Sequence, residues 1–149
     1  MSQHATFDDA NLILRLYEIR REERMREARR WFARNFGPAT LAEYRAICTP
    51  GTDEDEYVRM VVSYYEMVAS FITKGILSTD LYFASGGELG MVYSRVEPVI
   101  ADLRAANGHP GMFRNLEIVA HQYGEFLDAQ APGNWEGFKR RTRGMILPK

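Results

Sequence analysis

Between Tyr57 and Lys74 the chain reads YVRMVVSYYEMVASFITK, apolar on nearly every side at helical spacing for about five turns. A narrow polar stripe survives along it: Arg59, Ser63, Glu66, Ser70 and Lys74, separated by four, three, four and four positions. That rhythm matches the helical period, so the five share one face. Only other helices can bury the remaining surface, which makes this segment the centre of an all-α fold. Asp53 is the expected cap and Gly75 the left-handed terminator.

The same reading places helices on either side. Thr6 with Asp9 three residues on is a variant of the capping box, and Gly37-Pro38 is a stop. No Gly or Pro intervenes, so one long helix is predicted from Thr6 to Phe36. Its apolar positions form two sets, Leu12 to Ile19 and Met25 to Phe36, around a charged RREER middle. A short helix over Thr40 to Ile47 and a brief LYFAS segment capped by Ser78 or Thr79 follow. Leu89, Val92, Val96, Val99 and Leu103 mark one buried stripe, with Pro98 kinking or restarting its helix. Two more helices are predicted, Met112 to Ala129 and a short one capped by Asn134. No stretch alternates as a strand, and no linker or repeat divides the chain, so residues 1–149 read as a single helical bundle.

Composition adds little. The 149 residues are 46% hydrophobic and 26% charged, ordinary for a globular domain large enough to bury a core. A net charge of -1 gives no global attraction to nucleic acid or anionic membrane. The single cysteine, Cys48, fits a reducing, cytoplasmic setting, and Ser63, Glu66 and Ser70 interrupt the longest apolar run, which reads as a buried core helix and not a membrane span.

The middle of the chain resembles a bacterial family of small helical domains of unknown function. The resemblance is carried by YYEMVASFITKGILSTDLYF, YSRVEPVIADLR and MFRNLEIVAHQY. Such domains show a helix with a central Glu, a Lys-Gly-Ile/Leu turn, and an aromatic helix ending in Pro-x-Ile-x-x-x-Arg. Glu66, Gly75, Ile76, Pro98, Ile100 and Arg104 match those places. Ser63 stands where the family often has Asn, and Tyr93 where it often has Trp. What the resemblance implies is a fold; it names no reaction.

Candidate chemistry is sparse. Glu66 on an apolar helix is expected to be half-buried and paired with Arg95 or Arg104. With Tyr65 and Tyr93 as polar handles, these residues make the candidate ligand or ion-pair site. Glu117 and His121 lie four apart on one helix face, but the Glu-x-x-His repeat of di-iron bundles is absent, so no metal or other cofactor is expected. Arg15 to Arg34 holds eight Arg, with Glu18, Glu22, Glu23 and Glu27 at pairing distance along the helix, the pattern of a solvated face. Lys139, Arg140, Arg141 and Arg143 form a second basic cluster. Nothing matches a catalytic signature. The leading expectation is a non-catalytic helical protein working through protein contacts. Self-association is the favoured form: a helix of 30 residues would run about 45 Å, longer than a domain this size can cover, so its two apolar ends call for a homodimer. A ligand-binding or enzymatic bundle with a site near Glu66 is the alternative, and nucleic-acid contact through the C-terminal cluster the third.

Overall fold

The computed structural model describes residues 4–148, and all regular structure among them is helical. In chain order the elements are α1 (Phe7–Arg20), α2 (Glu23–Asn35), α3 (Leu41–Ile47), α4 (Asp53–Thr73), α5 (Thr79–Ser85) and α6 (Glu88–Val96). A 3-10 turn (Glu97–Val99), α7 (Ile100–Asn107), α8 (Arg114–Gln130) and α9 (Asn134–Arg143) complete them. No helix among the described residues is long and apolar enough to cross a membrane.

Helix α4 is the axis of the bundle. It buries Val58, Val61, Val62, Tyr64, Tyr65, Val68, Ala69 and Ile72, while Arg59, Ser63 and Lys74 of its polar stripe stay in solvent. Helices α2 and α8 flank it, and α6 packs against α8 and α9. The stripe Leu89, Val92, Val96, Val99 and Leu103 is buried throughout. Pro98 sits inside the 3-10 turn, where its missing N–H is tolerated, and the chain restarts as α7. Local chemistry explains most boundaries. Thr6 and Asp9 form the full capping box of α1, Thr40 and Ser78 cap α3 and α5, and Gly75 and Gly108 adopt left-handed φ of 75° and 60°.

Three expectations are corrected. Asp53 is the first residue of α4 and Thr52 its cap. Gly133 occupies the position expected of Asn134 at α9, and the Asp128 carboxylate accepts the Trp135 N–H at 2.9 Å instead. The largest correction concerns the N-terminal helix, which breaks at Arg21–Glu22. Advancing about 100° per residue, a straight helix would turn Leu16 and Met25 about 180° apart, onto opposite faces. The break lets Ile13, Leu16, Met25, Ala28, Phe32 and Phe36 all enter one core. Glu22 makes the new start possible by accepting from the Arg24 and Met25 N–H groups at 3.0 and 2.9 Å. The chain thus draws residues of both apolar sets into its own core, and the argument for a dimer from one straight long helix falls away.

Candidate functional site

Glu66 does not meet an arginine. Its half-buried carboxylate reaches from α4 to the start of α8, where Oε1 accepts the Asn115 N–H at 2.7 Å and Oε2 the Leu116 N–H at 3.3 Å. Helix α8 begins after Phe113, held at a left-handed φ of 58° with no cap of its own, so Glu66 supplies the missing acceptor from a neighbouring helix. Burial raises the Glu66 pKa, and the Asn115 and Leu116 N–H groups oppose that rise. The expected ion pair is replaced by the partial positive charge of a helix end. Arg104 flanks the same start, donating to the Met112 carbonyl at 2.9 Å and pairing with Glu117 at 3.2 Å.

The other candidates lie elsewhere. Arg95, 1% exposed, donates from α6 to the carbonyls of Phe32, Ala33 and Phe36 at the end of α2 and of Thr142 near the end of α9. It satisfies two helix C-termini at once. Tyr93 meets His121 with 3.1 Å between hydroxyl and Nε2, while Tyr65 is buried between α4 and α6 beside Glu88. The five residues therefore do not converge on one site. Glu117 and His121 are engaged with Arg104 and Tyr93, and no group of three His, Cys, Asp or Glu side chains among the described residues is placed to hold a metal. Burial pushes the Cys48 thiol up to about 11, away from a reactive thiolate.

Both basic tracts are largely spent on structure. Arg24 binds Glu27, Asp53 and Glu56, and Arg20 and Arg29 share Glu88. The Lys139 side chain, 10% exposed, pairs with Glu97 and Glu136, and Arg143 with Glu97. Three arginines of α2, Arg26, Arg30 and Arg34, stay out of these pairs among the described residues. Glu22 is committed to capping and Glu27 to Arg24, so Arg26 and Arg30 make no ion pair within 4.0 Å among the described residues.

Arg26 and Arg30 border an open groove of about 570 Å³ between α2, α6 and α9. Ala33, Met91, Phe138 and Met145 give it an apolar floor, and the Arg29–Glu88 pair closes one end. Arg141 is exposed three residues beyond Phe138 and so borders the same face of α9. A smaller cavity of about 280 Å³ lies between α3, α4 and Phe113, lined by Phe36, Tyr44, Val58 and Val62. Its one α4 hydroxyl is Ser63, a turn before Glu66, and Glu66 itself does not reach it. The sequence reading missed the groove because it paired every arginine of α2 with the nearest glutamate. The signal available was Arg26 and Arg30, four apart and on one helix face.

No curated protein and no solved structure matches the chain. A family model does match, over residues 5–123, from the cap of α1 to the middle of α8; α9 and its wall of the groove lie beyond it. The chain belongs to the family described as a domain of unknown function (DUF4760).

Proposed function

We propose that this domain is a non-catalytic helical module that binds an acidic, amphipathic helical segment of a partner protein in the groove between α2, α6 and α9. The observation that carries the reading is the pair of uncommitted arginines, Arg26 and Arg30, above the apolar floor of Ala33, Met91, Phe138 and Met145. An amphipathic helix presents one apolar stripe and one charged flank, which is the complement of such a groove. Its carboxylates would reach Arg26, Arg30 and Arg141 while its leucines cover the floor. Methionine on the floor lets one surface accommodate varied apolar side chains. The free, half-buried Cys48 fits a reducing cytoplasmic setting for this work. The reading is tested by titrating the ¹⁵N-labelled domain with a synthetic helical peptide bearing Leu on one face and Glu on the other. Amide shifts are expected in Arg26–Ala33, Gly87–Met91 and Phe138–Met145; shifts absent there, or centred elsewhere, would overturn it.

Self-association is the second reading, now resting on a different face. Phe7 and Leu14 are 91% and 62% exposed and seven residues apart, so they form one apolar stripe on the outer side of α1. A two-fold dimer would pair two such stripes. Light scattering at about 50 µM should then give twice the monomer mass, and Leu14→Glu should restore the monomer; a monomer mass for the parent would leave the groove as the functional surface.

A further inference from the structure

Behind the groove, Glu88 also borders a small chamber between α1, α4, α5 and α6. Leu16, Tyr17, Arg20, Tyr64, Tyr65 and Tyr82 line it, and its free space for the centre of a water molecule is about 10 Å³. Most polar atoms there have partners. Tyr17 donates to the Ser85 carbonyl at 2.7 Å and Tyr64 to the Leu16 carbonyl at 2.6 Å. Both oxygens of Glu88 are taken by Arg29, and Oε2 also meets Arg20 Nη2 at 3.1 Å.

Two groups stand apart. The Tyr65 hydroxyl and Arg20 Nε are buried and have no hydrogen-bond partner within 3.5 Å among the described residues. Tyr65 itself is 1% exposed. A buried polar group without a partner is costly, and here two of them line one chamber. Arg20 Nε can only donate, whereas the tyrosine hydroxyl donates or accepts.

We propose that this chamber is a built site for one internal water molecule, held by the Tyr65 hydroxyl and Arg20 Nε. The space is that of a single water, which excludes any polyatomic ligand. A bare halide would face the carboxylate of Glu88, already bound to both guanidinium groups, whereas a neutral water accepts from Arg20 and returns a hydrogen to Tyr65. The water joins α1 to α4 beside the direct bond from the Tyr64 hydroxyl to the Leu16 carbonyl.

Replacing Tyr65 by Phe tests the site, because it removes one oxygen and keeps the ring. If the hydroxyl holds a water, Tyr65→Phe lowers Tm by several degrees; if the hydroxyl is an orphan, the variant melts at or above the parent. Oxygen-17 relaxation dispersion on the parent protein gives an independent readout. A long-lived internal water is expected in the parent and one fewer in Tyr65→Phe, and an unchanged count would overturn the proposal. Melting the parent in chloride against fluoride at equal ionic strength covers the remaining occupant. Equal Tm in both salts is expected, and a rise specific to chloride would assign the chamber to an anion instead.

Discussion

Two carboxylates in this domain bind backbone N–H groups and titrate in opposite directions. Asp9 accepts first from Thr6 N and then from Ser78 N, and these bonds hold its pKa below 3.8. Its contribution to stability is present above the unfolded value and is lost as pH falls. Asp9→Asn should therefore be less stable than the parent at pH 7, with the gap closing in acid. Glu66 accepts similar bonds, but burial outweighs them and its pKa lies above 4.5. The sign reverses: the folded state holds the Glu66 proton longer than the unfolded chain, so this group's stabilisation is full below about pH 4.5 and declines as pH rises through the folded value. Glu66→Gln retains an acceptor without that titration, so its urea midpoint should gain on the parent's between pH 4 and pH 7. Glu66→Ala removes the borrowed cap of α8 and should cost about 1 kcal/mol, the scale of a lost N-cap, at neutral pH. A cost of about 3 kcal/mol would instead fit a broken buried ion pair.

Among elements, the joints were harder to read than the helices. The capping box at Thr6, the terminator Gly75, the restart at Pro98 and the buried stripe from Leu89 to Leu103 were all legible, because each depends on residues within a few positions of one another. What the sequence left open depends on neighbours far along the chain. The bend at Arg21–Glu22 is set by the shared core of α1 and α2, and the cap of α8 by a carboxylate 49 residues away. The role of Arg95 belongs to the same class. Its neighbours in sequence gave no sign that it would close α2 and α9 together. Burial, with Arg143 second, lowers its pKa to about 10, leaving it charged at neutral pH. Arg95→Ala would strip the donor from carbonyls of Phe32, Ala33, Phe36 and Thr142, and should cost at least about 3 kcal/mol in chemical denaturation. Arg95→Lys keeps the charge but gathers its donors on one atom, which cannot span both helix ends, so it should recover only part of that loss.

For the whole molecule, the division of charge matters more than its total. A net charge of -1 conceals a fold in which many arginines are engaged at helix ends and in ion pairs. Arg26 and Arg30 of α2, outside those pairs, border one groove, whose opposite wall is supplied by α9, outside the span matched by the family. The groove exists only where the two walls meet, which is why the site was invisible to a reading that took each helix by itself. The most direct measurement is fluorescence anisotropy of a labelled Glu/Leu amphipathic peptide, titrated with the parent domain and with Arg26→Glu/Arg30→Glu. Binding to the parent is predicted to weaken with added salt, and the double variant to lose about tenfold or more in affinity while keeping the parent's circular dichroism and Tm. Equal affinity for parent and variant, or no binding to either, would contradict the assignment of this groove as the binding surface.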